Sequence, residues 1–374
     1  MDMSASFPQE RLLMTEATPG DVLVTGGAGF IGCALSRLAA PGSRRWVAVD
    51  TLNPRIHETQ ERPAALSPDA ELVIGDIVET DTWDRLLEDW SPDVIVHLAA
   101  ETDTGLSLDH PLRFSTVNVD GTAQLMEALR RHDVTPRRIT VASSRAVYGE
   151  GMWLDASSGE ARMRSQRSHA ELLAGQWDFP FARPLPARAG STPPNTSNVY
   201  AATKLAQEGL LSAWCSSHGV DLSVLRLQNV YGPGQSLINP YTGILALFVR
   251  LAASGEAIPV FEDGAMLRDF VHIDDVARAF STVISPDYKE SGTTTYDIGT
   301  GTPASVLEVA QAIAREVGAP EPVITGKYRE GDVRHAWCDI DDAIAHLGWS
   351  PEIDWRRGIS AYANWYLERS GTTR

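Results

Sequence analysis

The sequence of 374 residues has few cysteines, fewer basic than acidic residues, and no long hydrophobic run. Its cysteines, Cys33, Cys215 and Cys338, form no Cys-x-x-Cys pair, which argues against a disulfide framework and gives no zinc signature. The formal net charge of −17 argues against nucleic-acid binding, because phosphate contacts need clustered Lys and Arg. Neither a secretory signal nor an apolar stretch of roughly 20 residues is visible. We expect a cytoplasmic protein without a metal, nucleic-acid or membrane partner.

Short apolar runs alternate with helical patterns along most of the chain. The runs that indicate buried parallel strands are 22–25, 46–49, 72–74, 94–97, 139–142 and 222–227. The patterns that indicate helices include 121–131, 200–216, 305–317 and 355–367. This alternation predicts an α/β fold, a Rossmann-type doubly wound parallel sheet with a smaller mixed α/β C-terminal substrate lobe.

The same pattern divides the chain into segments. We predict a loose extension over 1–19, a Rossmann domain over 20–234, and a substrate-binding lobe over 235–374 that is interleaved with it. Residues 149–197 are rich in Gly, Ser, Pro and Arg and form an irregular insert, typical of a lid or a disordered loop.

A glycine-rich segment follows the first predicted strand. The Gly-x-x-Gly-x-x-Gly spacing of Gly26, Gly29 and Gly32 permits a tight turn, backbone approach to a pyrophosphate, and close helix–strand packing. Asp50 ends the second strand, where a carboxylate accepts hydrogen bonds from an adenosine ribose and repels a 2′-phosphate. The segment therefore predicts a dinucleotide site that prefers NAD to NADP.

Three residues form a candidate catalytic group. Tyr200 and Lys204 stand four apart on one face of a helix, and an ammonium group near a phenol lowers the phenol pKa. Tyrosine can then act as a general base or acid on a sugar hydroxyl group. Ser144 ends the fifth strand, where doubly wound sheets bind ligands, and its hydroxyl group can hold the same substrate oxygen.

With these residues, the chain resembles the extended short-chain dehydrogenase/reductases, and within them the NAD-dependent nucleotide-sugar epimerases and dehydratases. The matching motifs are Thr-Gly-Gly-Ala-Gly-Phe-Ile-Gly at 25–32, Gly-Asp-Ile at 75–77, His-Leu-Ala-Ala at 97–100, Asn-Val-Asp-Gly-Thr at 118–122, Ser-Ser-Arg-Ala-Val-Tyr-Gly at 143–149, and Arg-Asp-Phe-Val-His-Ile-Asp-Asp-Val-Ala at 268–277. The stretches 148–151, 174–178 and 229–244 look like a subgroup that resembles the dTDP-L-rhamnose 4-epimerases. Members of that subgroup often carry cysteines in the insert, and this insert has none, so no metal is expected.

The resemblance implies a set of binding residues. The expected cofactor-binding residues are Gly26, Gly29, Phe30, Ile31, Gly32, Asp50, Asp76, Ile77, Ala99, Ala100, Asn118, Tyr200 and Lys204. The expected substrate-binding residues are Thr102, Ser144, Arg145, Asn229, Arg268, Arg329 and Asp332. Guanidinium groups suit a substrate diphosphate because they give bidentate, charge-assisted hydrogen bonds. A homodimer formed through two helices at the edge of the sheet is also typical of the family.

The reaction predicted from these residues is epimerisation of a dTDP- or UDP-hexose at C4 through a transient 4-keto sugar. Family 4,6-dehydratases carry an Asp-Glu pair after the position of Ser144, and Arg145 and Ala146 stand there instead. Three alternatives stay open: a 4-ketoreductase that uses NAD(P)H, another nucleotide-sugar dehydratase or decarboxylase, and a non-enzymatic dinucleotide sensor. The intact Ser-Tyr-Lys group argues against the sensor.

Overall fold

The computed structural model describes residues 19–236 and 243–370. Residues 1–18, which make up nearly all of the predicted N-terminal extension, lie outside the described residues, as do 237–242 of the predicted subgroup stretch at 229–244. No helix in the described ranges is both long enough and apolar enough to cross a membrane.

Short strands and helices alternate along the described chain. The strands are β1 (Asp21–Thr25), β2 (Arg45–Asp50), β3 (Ala70–Ile74), β4 (Val94–His97), β5 (Arg138–Ser144), β6 (Met152–Asp155), β7 (Ala161–Met163), β8 (Ala182–Pro184), β9 (Asp221–Leu227), β10 (Asn229–Tyr231), β11 (Pro259–Val260), β12 (Leu267–Arg268), β13 (Phe270–His272), β14 (Thr293–Ile298), β15 (Ala304–Ser305), β16 (Val323–Ile324) and β17 (His335–Ala336). The helices are α1 (Phe30–Ala39), α2 (Thr80–Leu87), α3 (Leu106–Asp109), α4 (Pro111–Phe114), α5 (Gly121–Arg131), α6 (His169–Leu173), α7 (Val199–His218), α8 (Ile244–Ala253), α9 (Ile273–Ile284), α10 (Val306–Val317) and α11 (Trp355–Ser370). Tighter or wider helical turns occur at Ala40–Gly42, Ser115–Asp120, Arg145–Tyr148 and Ala343–Leu347.

A seven-stranded sheet forms the centre of the described molecule, in the order β14-β9-β5-β4-β1-β2-β3. All neighbouring strands in it are parallel. The chain winds outward in both directions from β1 and β4, so the carboxyl ends of these two strands flank the switch point where such sheets bind ligands. The predicted Rossmann-type fold is confirmed, and the six predicted strands are present. The seventh, β14, was not predicted and comes from the range 235–374.

Helices cover both faces of this sheet because successive strand residues point to opposite sides. Val22 and Val24 of β1 pack in the cluster that contains Leu35 of α1 and Phe280 of α9. Leu23 packs on the other face, with apolar residues of α2, α5 and α7. Both faces are therefore buried, which explains the nearly continuous apolar strand sequences.

The C-terminal lobe has a separate apolar core between α8, α10 and α11. Short strands border it: β12 pairs antiparallel with β15 and parallel with β17, and β11 pairs parallel with β16. Ser305 caps α10 by a reciprocal capping box with Glu308, which gives the helix a well-defined start.

The insert at 149–197 is more regular than its composition predicted. Strand β6 pairs antiparallel with β7 and β8, and Ser168 caps α6 by a capping box with Glu171. The fully buried indole of Trp153 anchors β6. Strands of three or four residues carry too little alternation to be recognised from sequence, and their partners are distant along the chain.

Candidate active site

The glycine-rich turn lies at the carboxyl end of β1 and leads into α1. Gly26 has φ +64°, and a Cβ atom there would lie 2.8 Å from the backbone nitrogen of Ala99. A Cβ atom at Gly32 would lie 2.6 Å from the carbonyl carbon of Gly27. Only glycine fits both positions, so the turn and the first turn of α1 stay in close contact.

Asp50 joins this turn to the end of β2. Its Oδ2 accepts the N–H group of Ala28 at 3.1 Å, and its Oδ1 accepts that of Leu52 at 3.0 Å. His57 Nε2 lies 3.6 Å from the same Oδ1. The glycine turn, the start of α1 and this carboxylate fit an NAD molecule, with backbone amides for the pyrophosphate and Asp50 for the adenosine ribose. Phe30 and Ile31 form the first residues of α1.

The remaining predicted cofactor residues follow β3 and β4. Asp76 Oδ1 accepts the N–H group of Val78 at 3.1 Å, and Ile77 is buried. Ala99 and Ala100 directly follow β4, and the N–H group of Ala99 donates to Thr25 Oγ1 at 3.3 Å. These contacts place the chain after β4 against the end of β1, at the switch point.

Asn118 is fully buried in the turn Ser115–Asp120 and does not cap a helix through its side chain. Its Oδ1 accepts the N–H group of Glu101 at 2.7 Å, and its Nδ2 donates to the carbonyl of Glu101 at 3.0 Å. Nδ2 also donates to Thr203 Oγ1 at 2.9 Å. The side chain therefore fixes the loop after β4 against α7, the helix that carries Tyr200 and Lys204.

The structure brings Ser144 and Tyr200 together. Ser144 is the last residue of β5, and its side chain lies close enough to Tyr200, in the first turn of α7, to lower the pKa of the phenol. That turn is fixed by Asn198, whose Oδ1 accepts the N–H group of Ala201 at 2.9 Å. The Tyr200 ring meets Phe114 edge-on, with ring centroids 6.4 Å apart.

Burial raises the pKa of Tyr200, and the nearby hydroxyl group of Ser144 and the positive charge of Arg145 act in the opposite direction. Lys204, predicted to be the cation beside the phenol, is buried; its Nζ donates to the carbonyl of Ala142 and to Gln207 Oε1, each at 2.9 Å. Burial lowers the pKa of Lys204 to about 7. Of the nearby cations, it is Arg145 whose charge lowers the pKa of Tyr200 in this structure.

Buried polar residues behind Lys204 were not predicted as part of the site. Gln207 Nε2 donates to Thr122 Oγ1 at 2.8 Å and lies 3.2 Å from His97 Nε2. His97 Nδ1 lies 2.8 Å from Thr25 Oγ1. Burial and then the charge of Lys204 lower the pKa of His97 to about 3, so its ring is neutral at pH 7. The helical spacing between Lys204 and Gln207 was the available signal.

On the substrate side, Arg145, Asn229 and Arg268 lie close together. Arg145 Nε donates to Asn229 Oδ1 at 2.9 Å. Burial, and then the nearby charge of Arg268, lower the pKa of Arg145 to about 9. The buried guanidinium group of Arg268 donates to the carbonyls of Val333 at 2.6 Å and Arg334 at 3.0 Å.

The other predicted substrate residues are more open. Asp332 is half-buried, and its charge raises the pKa of Arg145 and of Arg268 against the effect of their burial. Arg329 is exposed, with its guanidinium carbon 5.4 Å from the ring centre of Phe261. Thr102 is exposed in the loop after β4. The structure thus brings Arg145, Asn229, Arg268 and Asp332 together and leaves Arg329 and Thr102 exposed. No cluster of His, Cys, Asp or Glu in the described ranges could hold a metal ion.

A sequence model of the NAD-dependent epimerase/dehydratase family matches residues 22–299. The chain belongs to this family. The dTDP-L-rhamnose 4-epimerase of Burkholderia thailandensis is 50% identical over 347 residues, covering 93% of this chain and 95% of the relative. The UDP-glucose 4-epimerase of Mycolicibacterium smegmatis is 33% identical over 351 residues, covering 93% and 99%. The crystal structure of the Thermus thermophilus UDP-glucose 4-epimerase with NAD has a TM-score of 0.71, 25% identity, and coverage of 92% and 98%.

For this member of the NAD-dependent epimerase/dehydratase family, three predictions are confirmed: the extended short-chain dehydrogenase/reductase assignment, the enzymatic function as an epimerase, and NAD as the cofactor. The roles of the individual side chains stay predictions.

Proposed function

We propose that the protein interconverts two nucleotide-diphosphate hexoses that differ in configuration at C4, through a transient 4-keto sugar. The observation that carries this proposal is the position of Ser144 beside Tyr200 at the carboxyl end of β5, where the serine lowers the pKa of the phenol. Strand β5 lies one strand away from β1, which leads into the glycine turn, and Arg145 follows Ser144 directly. The relatives of B. thailandensis and M. smegmatis match along nearly their whole length, and both are named 4-epimerases.

The side chains divide the work. Gly26, Gly29 and Asp50 would hold NAD, which would supply reversible hydride transfer at C4 of the sugar. Tyr200 takes the proton of the C4 hydroxyl group and gives it back in the second half-reaction. Ser144 holds the substrate oxygen next to the phenol, and Arg145 stabilises the phenolate.

The substrate diphosphate would be held by cations and an amide. Asn229 and Arg268 lie next to Arg145. Arg268 also contacts the main chain of Val333, in the segment that carries Arg329 and Asp332. Epimerisation needs the 4-keto sugar to turn over without leaving, so the affinity has to reside in the nucleoside diphosphate and not in the sugar ring. A dTDP- or UDP-hexose satisfies this requirement.

We also propose a cytoplasmic homodimer. Leu108 of α3 and Leu112 of α4 are 55% and 78% exposed, and both helices contact α7, which packs beside α5. A second copy would cover these side chains. All three cysteines are buried free thiols, as suits a reducing compartment.

The test is to denature the purified protein, identify the dinucleotide that it releases, and assay dTDP- and UDP-hexoses without added cofactor. We expect released NAD and redox-neutral interconversion of two 4-epimers. An empty protein that turns over only a 4-keto sugar with added NADPH would establish a ketoreductase instead.

A further inference from the structure

Arg334 is buried where the insert meets the C-terminal lobe, with no exposed side-chain surface. Its Nη1 lies 2.8 Å from Glu262 Oε2 and 2.7 Å from Asp263 Oδ1, both in the lobe. Its Nε donates to Asp178 of the insert at 3.0 Å. One guanidinium group therefore joins the two parts of the molecule through three carboxylates.

Arg167 makes a second connection from the insert, and its side chain is 3% exposed. Its Nη1 donates to Glu262 Oε1 at 2.9 Å, and its Nη2 donates to the backbone carbonyl of Asp332 at 2.9 Å. Glu150, also of the insert, lies 3.4 Å from Arg167 Nε through Oε1 and accepts the backbone N–H group of Arg334 through Oε2 at 2.9 Å.

These bonds converge on the backbone of 331–334, which has no regular secondary structure. Arg167 holds the carbonyl of Asp332, and Arg268 holds the carbonyls of Val333 and Arg334. Gln166 of the insert donates to the carbonyl of Gly331 at 3.2 Å. Every residue of this short segment is thus fixed through its main chain, and the insert supplies three of the side chains that do so.

We propose that the insert is a positioning element for the nucleotide-binding segment 329–334. Arg167 and Glu150 fix the main chain of this segment so that Arg329 and Asp332 are presented to the nucleoside diphosphate. This inference rests on the proposed function, because that function assigns the nucleoside diphosphate to this segment. Glu150 also follows the turn Arg145–Tyr148 almost directly, so one side chain links the catalytic end of β5 to the nucleotide segment.

The contacts with the segment 331–334 indicate a positioning role for the insert, beyond a contribution to the stability of the fold. The fixed segment has no strand or helix of its own to define its path, so its conformation depends on side chains from elsewhere. Removing Arg167 leaves the buried carboxylates of Glu262 and Glu150 with less compensation. The segment 331–334 is then expected to shift. Arg167 is a positioning residue because it meets the main chain of Asp332 and not its carboxylate.

The experiment measures the binding of free dTDP and free UDP by calorimetry, with kcat, KM and bound NAD determined on the same samples. We expect Arg167→Met to weaken nucleoside diphosphate binding and raise KM about tenfold or more, while kcat changes about twofold and bound NAD is unchanged. Arg167→Lys should recover part of the affinity. The matched control is Arg162→Met, since Arg162 pairs with Glu160 at an exposed edge of the same insert.

A folded Arg167→Met protein that binds the diphosphate as the wild type does, or that loses kcat alone, would overturn the proposal. If Arg167→Met does not fold, Gln166→Ala carries the test, because Gln166 is exposed and, within the described ranges, its side chain donates only to the carbonyls of Gly331 and Ser197. It should weaken binding about threefold, and unchanged binding would overturn the proposal. If the wild-type protein binds dTDP or UDP but epimerises no hexose, the proposed activity is contradicted, and the binding comparison still tests the positioning role. If the wild-type protein binds neither nucleotide, the positioning role is contradicted.

Discussion

Arg145 donates its Nε–H group to Oδ1 of Asn229 at 2.9 Å, and this bond joins the turn after β5 to the start of β10. The bond holds the guanidinium group where its charge acts on Tyr200. Arg145 stands where family 4,6-dehydratases carry an acidic residue, and it is a predicted substrate-binding residue. Its charge also favours ionisation of Tyr200, the candidate base.

Removal of this charge should change the pH dependence of the reaction. In Arg145→Ala the pKa of Tyr200 rises, so the phenolate forms at higher pH and the alkaline rise of kcat/KM moves upward. A Tyr200 pKa that is higher by about one lowers the rate at neutral pH about tenfold. Arg145→Lys should keep most of the wild-type profile. An Arg145→Ala profile that overlies the wild type would exclude this role.

Tyr200→Phe should lower kcat by roughly 10²- to 10⁴-fold, because general acid–base catalysis contributes about that much. Bound NAD should fall far less than kcat, since the glycine turn and Asp50 are untouched. Tyr366→Phe, in α11, is the matched control and should behave like the wild type. Retained activity in Tyr200→Phe would assign proton transfer to another group.

Gly32→Ala should abolish NAD retention and destabilise the fold, because the new methyl group would meet the carbonyl carbon of Gly27 at 2.6 Å. Gly209→Ala is a control within a helix, with nothing inside 4 Å of the added Cβ atom. It should raise the free energy of unfolding by about 0.5–1 kcal/mol. Dinucleotide content and the urea midpoint measure both effects. Normal NAD content in Gly32→Ala would contradict the close packing of turn and helix.

Asp297 should make the stability depend on pH. It is buried, it accepts from Tyr148 Oη at 2.9 Å and from the Ala189 N–H group at 2.6 Å, and burial raises its pKa to about 7. The folded state therefore binds this proton between about pH 4 and pH 7 when the unfolded state does not, so its contribution to stability falls as pH rises through that window.

The loss amounts to about 1.4 kcal/mol for each pH unit that separates the folded pKa from the unfolded one. In Asp297→Asn, the amide oxygen can still accept from Tyr148 or from the Ala189 N–H group, and the side chain no longer titrates. Wild-type and variant urea midpoints should converge near pH 4 and diverge, in favour of the variant, by pH 8. Parallel curves across that range would show that Asp297 does not titrate there.

The sequence was informative where physical constraints are local. The apolar strands, the glycine turn and the helical pairing of Tyr200 with Lys204 each depend on neighbours in the chain, and the structure contains all of them. Asn198, which fixes the first turn of α7, is likewise a local signal.

The remaining features depend on contacts between distant segments. Lys204 meets the carbonyl of Ala142 because α7 packs against β5, and Arg145 reaches Tyr200 because Asn229 holds it. The order of the insert likewise depends on carboxylates of the C-terminal lobe. No periodicity along the chain encodes such pairings, so they become visible only in three dimensions.

Strand β14 is the last strand of the central sheet to be synthesised, after the six other strands of that sheet. Once the chain through residue 234 has left the ribosome, six strands of the central sheet can form, but β9 still has an unpaired edge. Its apolar residues and free backbone groups then offer a template to other chains until residues 293–298 emerge and pair with it. A nascent chain that stalls in this interval carries the complete glycine turn and catalytic residues on an aggregation-prone sheet. The chain must therefore extend to Ile298 before the central sheet has all seven strands, and a domain truncated at residue 234 would lack the strand that covers β9.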